Sequence, residues 1–249
     1  MKLLVLAIAL QAHQAFAKKL PQAFTICSRN DPQLDECFSG ATQKALSLMT
    51  EPIPELSLPG IDPMKFDKIE IPPSKSDNFK FKQTLTNLEL RNLKATKVKK
   101  TRVNLGESEF NVLIYTNTPW LKLEGNYEID GKILVLTIKG EGTFTVTFDD
   151  VKVVVNMTGT IHRKKGKPHL QIDDVTFKMD PNNLIFKFDN LFNGNEDLGR
   201  SLNSLLNENW RPIYAEIGST YEEFVAAYLK NVVTQIFNKV SYDDLFPIK

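Results

Sequence analysis

The chain has 249 residues and a formal net charge of +1, so its overall charge does not favour binding to nucleic acid. Hydrophobic residues make up 42% of the sequence, and phenylalanine alone occurs 16 times. This composition supplies a sizeable apolar core for one large domain or two small ones.

The first 17 residues are typical of a secretory signal peptide. Lys2 supplies the positive start, the next eight residues are apolar, and Ala-Phe-Ala at 15–17 fits the small-residue cleavage pattern. The apolar stretch is about half of the ~20 residues that a membrane span needs. We therefore expect residues 1–17 to be removed and the mature chain, 18–249, to be secreted.

The sequence contains two cysteines, Cys27 and Cys37, near the start of the expected mature chain. In a secreted protein such a pair is expected to form a disulfide bond. A metal site would need histidine or further cysteine nearby, and the sequence has none there. The sequon Asn156-Met157-Thr158 permits glycosylation of Asn156, although a strand is predicted at this position.

The first predicted helix begins at Asp31-Pro32, with Asp31 as the N-cap and Pro32 at the first helical position. Apolar residues at helical spacing continue it to about Met49. The following segment, 51–63, contains four of the chain's 13 prolines and Gly60. A regular helix is excluded there, so we expect an extended connector.

From Phe66 to Phe188 the sequence predicts strands, because apolar and polar residues alternate in closely spaced runs. The phase of the alternation shifts after Asn87, as it does at a β-bulge. Asp130-Gly131 predicts a tight hairpin between two of the strands. Together the runs indicate a large, mostly antiparallel sheet.

From about Glu196 to Val240, apolar residues follow the spacing of one long helix, which would measure about 65 Å. Pro212 and Gly218 are expected to kink it. Such a helix must cover its apolar stripe, and the sheet, with strands apolar on both faces, is the element that can do so. We therefore expect a curved sheet wrapped around the helix, with the turn at 193–195 leading the chain from one to the other.

The sequence offers few residues suited to catalysis. It has no G-x-S-x-G elbow, no Cys-His pairing, no H-E-x-x-H and no phosphate-binding glycine loop. We expect no catalytic residue, no metal and no cofactor. His162 and His169 flank a basic stretch that is either a solvated hairpin tip or a patch for an anionic membrane or a receptor.

Four stretches resemble the insect takeout and juvenile-hormone-binding protein family. They are CSRNDPQLDECF at 27–38, SLPGIDPMKFDKIEI at 57–71, LEGNYEIDGKILVLTIKGEGTF at 123–144 and NLFNGNEDLGRSLNSLLNENW at 190–210. The resemblance implies an α+β fold: a strongly curved antiparallel sheet wrapped around one long C-terminal helix, with a short N-terminal helix and an internal hydrophobic tunnel. It also implies a single domain over 18–249, in a wider lipid-binding group that includes the bactericidal permeability-increasing proteins.

For function, the resemblance implies a secreted, monomeric carrier of a juvenile-hormone-like terpenoid, fatty acid or other lipid. Relatives act in haemolymph, chemosensory fluid, feeding, mating and circadian rhythm. This chain lacks the second, C-terminal disulfide of the hormone carriers, which favours the takeout branch. Arg91-Asn92 stands where many relatives have a glycine-containing turn. The alternative is a signalling protein with a fully packed core that contacts a receptor or membrane.

Helical and strand periods select the residues expected to contact the ligand. On the inward face of the helix they are Trp210, Tyr214, Ile217, Tyr221, Phe224, Tyr228 and Val232, with Ile236 further along. On the facing strands they are Leu134, Leu136, Ile138, Phe144, Val146 and Phe148. A shift of one residue would invert a strand's set. The same positions would also fill a packed core, because tunnel wall and core share one face of each element.

Overall fold

The computed structural model describes residues 20–73, 76–133, 136–164 and 166–248. The expected signal peptide lies outside these residues. Within them the strands are β1 (Met64–Ile71), β2 (Phe79–Arg91), β3 (Lys97–Leu105), β4 (Glu109–Ile133), β5 (Leu136–Lys164), β6 (Lys167–Asp180) and β7 (Asn183–Phe188). The helices are α1 (Leu34–Leu48), α2 (Glu196–Glu208), α3 (Trp210–Phe237) and α4 (Tyr242–Leu245). The connector at 51–63 forms no α-helix, as predicted.

All seven strands join one antiparallel sheet, at whose centre lies the long hairpin of β4 and β5. The pairing of the hairpin is interrupted at Pro119, which has no N–H to donate, and at the facing Asp150, whose φ is 44°. On one side of this point β2 and β7 flank the hairpin, and on the other side β3 and β6 do so. The sheet therefore has two halves that share β4 and β5.

The prediction of a tight hairpin at Asp130-Gly131 is wrong. Both residues lie inside β4 and pair with β2 and β5, and the pairing continues to Ile133 opposite Leu136. Gly131 is needed because β2 passes very close to it: a Cβ atom there would lie 2.2 Å from the carbonyl oxygen of Lys80. A glycine required by close approach of another strand looks the same in sequence as a turn glycine.

The backbone conformation accounts for two sequence features of β2, the shift of phase after Asn87 and the turn at Arg91-Asn92 that lacks glycine. The shift of phase after Asn87 is confirmed, because the register of β2 against β4 slips between Thr86 and Glu89. Asn92, just after β2, has a φ of 76°, and its side chain donates to the carbonyl of Trp120 at 2.8 Å. Asparagine tolerates this left-handed conformation, so the turn forms here without glycine.

The N-terminal segment is tied to α1 by the predicted disulfide between Cys27 and Cys37, which is confirmed. α1 begins at Leu34, two residues later than predicted, and the Asp31 carboxylate instead accepts from the backbone N–H of Gln33 at 2.8 Å in a tight turn. The helix packs against β3 in the half of the sheet that contains β6.

The C-terminal helix predicted over 196–240 is divided into α2 and α3, which meet at Asn209. The break follows from Pro212, because a proline ring clashes with the carbonyl four residues earlier, here that of Glu208, the last residue of α2. α3 itself continues through Gly218 for 28 residues. At 1.5 Å per residue it is about 42 Å long. No helix in the described part of the chain is long and apolar enough to cross a membrane.

The turn predicted at 193–195 is confirmed. Asn193 and Gly194 have positive φ angles of 54° and 88°, which reverse the chain after β7. Asn195 then caps α2 by accepting a hydrogen bond from the backbone N–H of Leu198 at 3.1 Å.

Two asparagine side chains of α2 fasten it to the edge of β7. The Asn207 amide accepts from the N–H of Phe186 at 2.7 Å and donates to its carbonyl at 2.9 Å. Asn203 bonds in the same way to Phe188, at 2.9 Å in both directions. Residues four apart on a helix and two apart on a strand lie on one face, so the two side chains stand in for a neighbouring strand.

Within the described residues, buried side chains form two hydrophobic clusters, one in each half of the sheet. The first cluster is built around Phe79, Tyr127, Phe144, Leu202 and Ile213. The second cluster is built around Phe110, Met157, Leu170, Tyr242 and Phe246. α3 spans both, because residues up to Phe224 pack against the first cluster and residues from Leu229 pack against the second.

We expect Asn207→Ala to lower the free energy of unfolding by about 1–3 kcal/mol, because the N–H and carbonyl of Phe186 lose their partners at a partly buried edge. Denaturant unfolding measures the change. Asn231→Ala, on an exposed position of α3, is the control and should stay within about 0.5 kcal/mol of wild type. Equal losses in both variants would contradict the role given to the edge.

Candidate functional site

An apolar cavity of about 60 Å³ lies inside the first cluster, between the sheet and the C-terminal helices. Four strands form one wall and α2 and α3 form the other. The lining residues are Phe79, Phe81, Gln83, Ile129, Ile133, Ile138, Phe186, Phe188, Leu191, Leu202, Leu206, Ile213, Ile217 and Tyr221. None of these side chains is charged, and among them Gln83 and Tyr221 alone carry polar groups.

The helix residues selected from the sequence fall into three groups. Ile217 and Tyr221 line the cavity. Others pack against the first cluster beside it: Trp210, Tyr214 and Phe224. The remainder lie further along α3: Tyr228, whose ring meets that of Phe66 edge-on at 5.1 Å, and the half-buried Val232 and Ile236. A direct role in ligand contact stays a prediction for the whole set.

The strand residues selected from the sequence lie mostly in the same cluster. Ile138 lines the cavity and is 1% exposed. Phe144 and Val146 are buried in the first cluster, and Phe148 packs against it. Two further members are Leu136, the first residue of β5, and Leu134, which lies outside the described residues.

Most of the cavity wall comes from residues that the sequence did not single out. Phe79 and Phe81 on β2 alternate in the sequence, which was a usable signal for one face of a strand. Phe186 and Phe188 on β7 show the same spacing. Their position at the cavity depends on the pairing of β7 with β5, which local patterns do not specify.

Several tyrosine hydroxyl groups near the cavity are bonded to the protein itself. Tyr214 donates to the carbonyl of Met179 at 3.0 Å, and Tyr127 donates to that of Asp189 at 2.7 Å. Tyr221 donates to Oε1 of Gln83 at 2.8 Å. These bonds use protein groups where the sequence alone left a ligand's polar end as a candidate partner.

A larger groove of about 380 Å³ lies between β6 and α3. Its lining includes the charged residues Asp174, Lys178, Glu222, Glu223 and Lys230. The buried Glu222 carboxylate accepts from Nζ of Lys178 at 2.7 Å and from the N–H of Met179 at 2.9 Å. A charged lining does not suit a long apolar molecule, so the smaller apolar cavity is the candidate site.

Other sequence features have definite places in the fold. The basic stretch forms the hairpin between β5 and β6, where His162 pairs with His169 and Arg163, Lys164 and Lys167 are exposed. Asn156 is half-buried in β5, and its glycosylation stays a prediction. In the part of the chain that the structure describes, no group of three or more His, Cys, Asp or Glu side chains could hold a metal ion.

We expect stability to fall as the pH rises above about 10. Unfolded tyrosines ionise near pH 10, whereas burial raises the pKa of Tyr127 to about 12 and also raises the pKa of Tyr214 and Tyr221. The folded chain then keeps protons that the unfolded chain has lost, so the stability from these groups is complete below pH 10 and lost above it. Urea unfolding from pH 8 to 11.5 measures this slope. Tyr221→Phe should flatten it, and an unchanged slope would contradict the assignment.

Comparison with known proteins identifies a family model and relatives that match most of this chain. The chain matches the family model "Haemolymph juvenile hormone binding protein (JHBP)" over residues 3–247. It is 24% identical over 231 residues to "Circadian clock-controlled protein daywake" of Drosophila melanogaster, covering 91% of this chain and 88% of the relative. It is 20% identical over 220 residues to "Putative beta-carotene-binding protein" of Schistocerca gregaria, covering 88% and 86%.

The crystal structure of Epiphyas postvittana Takeout 1 superposes on this chain with a TM-score of 0.75 and 22% identity, covering 90% of this chain and 100% of that one. At this identity the likeness concerns the fold, a curved sheet with a long C-terminal helix. The match of the family model runs through nearly the whole chain. The chain therefore belongs to the insect takeout and haemolymph juvenile hormone binding protein family.

Proposed function

We propose that residues 18–249 form a secreted carrier domain that holds a long hydrophobic small molecule between the curved sheet and the C-terminal helices. The observation that carries this proposal is the cavity itself, whose lining includes five aromatic side chains and no charged one. Membership of the family supports it. So does the printed name of the Schistocerca gregaria relative, which indicates binding of β-carotene, a long apolar molecule.

Burial of an apolar chain provides enough free energy for such a carrier. A ligand of about 15 carbons, at about 0.8 kcal/mol per buried CH₂, has a gross driving force of roughly 12 kcal/mol. Ordering and desolvation offset a large share of it. We expect micromolar to nanomolar affinity, with selectivity set mainly by the length and bore of the site.

The site must enlarge to take a ligand of this size. Ligand pockets usually have volumes of about 300–1,000 Å³, and the cavity measures about 60 Å³. The wall with the least sheet pairing is β7, a strand of six residues that pairs with β5 and is held on its other side by Asn203 and Asn207. We therefore expect the cavity to enlarge by movement of β7 together with α2.

The alternative function is interaction with a receptor or an anionic membrane through the hairpin of β5 and β6. The exposed side chains of Arg163, Lys164 and Lys167 favour it. Replacing these three residues and Lys165 by glutamine separates the two functions. A carrier keeps its ligand binding, whereas loss of biological activity with ligand binding intact would favour the interaction function.

The carrier function is tested by incubating purified protein with a mixed lipid extract, repurifying the protein and identifying the retained molecules by mass spectrometry. We expect long-chain apolar species. Retention of none, together with no displacement of a fluorescent lipid probe, would contradict the proposal.

We expect Ile217→Trp to block the cavity and to reduce lipid binding more than it reduces stability. Ile217 lines the cavity, whereas Phe224 lies beside it, so position 217 gives the sharper test. Overpacking alone costs about 1–3 kcal/mol. The control is Ala215→Trp on the exposed face of α3. Probe displacement and denaturant unfolding are measured for both variants. Unchanged probe binding in Ile217→Trp would place the ligand elsewhere.

A further inference from the structure

Gln83 is a buried polar side chain in the wall of an otherwise apolar cavity. It is 5% exposed and lies within β2, where the backbone pairs with Ile71 on one side and Ile129 on the other. Both sheet partners are apolar residues. Burying an amide is unfavourable unless its hydrogen bonds are made. Core packing alone therefore does not explain glutamine at this position.

The amide has hydrogen-bonding capacity left over. A glutamine side chain offers one carbonyl oxygen and two N–H donors. The Tyr221 hydroxyl donates to Oε1 at 2.8 Å, and the structure shows no hydrogen bond from Nε2 to any described residue. Rotating the amide by 180° would let Nε2 donate to the Tyr221 oxygen and would free the phenolic O–H. In either orientation the pair presents a donor.

The neighbouring tyrosines cannot supply this donor. The hydroxyl hydrogens of Tyr214 and Tyr127 are directed to the backbone carbonyls of Met179 and Asp189, as described above. Neither tyrosine lines the cavity. The donor capacity facing the cavity therefore belongs to Gln83 and Tyr221.

We propose that Gln83, oriented by Tyr221, binds the oxygen of a neutral carbonyl group, an ester or a ketone, on the long apolar ligand. This inference rests on the carrier function and specifies the chemical class of the ligand. A carboxylate does not fit, because no residue that lines the cavity carries a positive charge to balance it. A pure hydrocarbon would offer no acceptor to the amide N–H groups of Gln83 at the cavity wall.

The test compares methyl hexadecanoate, hexadecanoic acid and hexadecane as competitors of a fluorescent lipid probe at neutral pH. Gln83→Met keeps a side chain of similar length and removes the donor. We expect it to weaken the ester about fivefold and to leave hexadecane unchanged or bound more tightly. Comparing variants for each competitor cancels the different solvation of the competitors in water. Gln171→Met, on an exposed position of β6, is the matched control and should change neither.

A second measurement uses the unmodified protein and does not depend on how a variant folds. The infrared carbonyl band of methyl hexadecanoate labelled with ¹³C at the carbonyl should lie at lower frequency when bound than in hexane, because a donated hydrogen bond weakens the C=O bond. The same band in Tyr221→Phe, which keeps the ring and removes the hydroxyl, should move back toward the hexane value.

The outcomes separate the two proposals. Equal weakening of ester and hexadecane by Gln83→Met, a hexane-like carbonyl band in wild type, or acid bound as tightly as ester would each overturn the assignment of Gln83 while the carrier function stands. Failure of all three competitors to displace the probe would instead contradict binding of long apolar molecules at this site.

Discussion

The pairing of β4 with β5 is the constraint on which the rest of the structure depends. This hairpin runs through both halves of the sheet. The strands that flank it change at Pro119 and Asp150, so β4 and β5 are the strands that connect the two halves. Each half carries an apolar cluster on the same hairpin. α3 is long enough to pack against both.

Hydrogen bonds at the edge of the site fix the geometry that apolar packing leaves loose. Hydrophobic burial has no direction, whereas the amides of Asn203 and Asn207 hold α2 at one register along β7. The Tyr214 hydroxyl holds α3 against the carbonyl of Met179 in the same way. These asparagine and tyrosine groups make their hydrogen bonds to the protein. Gln83 differs from them because its amide N–H groups have no hydrogen-bond acceptor among the described residues.

The cavity suits a carrier whose affinity comes from burial and whose size selectivity, set by the apolar walls, would be supplemented by the proposed polar contact at Gln83. Apolar walls distinguish ligands by size, since one methylene more or less changes binding only modestly. A donor in a dry site discriminates more strongly, because a ligand without an acceptor leaves that donor unpaired. Because the cavity is small, its walls must move apart before a long ligand can bind. β7 and α2 form the part of the wall with the least sheet pairing.

Local sequence patterns determined a large part of this fold. Alternation predicted the strands, the phase shift predicted the bulge after Asn87, and the run Asn193-Gly194-Asn195 predicted the turn into α2. These features depend on neighbouring residues alone, through side-chain period and turn chemistry. The apolar stripe also placed Ile217 and Tyr221 on the face that lines the cavity.

Tertiary structure alone decided which strand passes over Gly131, and it brought Phe186 and Phe188 to the cavity through the pairing of β7 with β5. It also joined Tyr221 to Gln83 across 138 positions of sequence. Such contacts are set by strand order and helix packing. A period repeated every two or four residues carries no information about which distant segment will lie opposite.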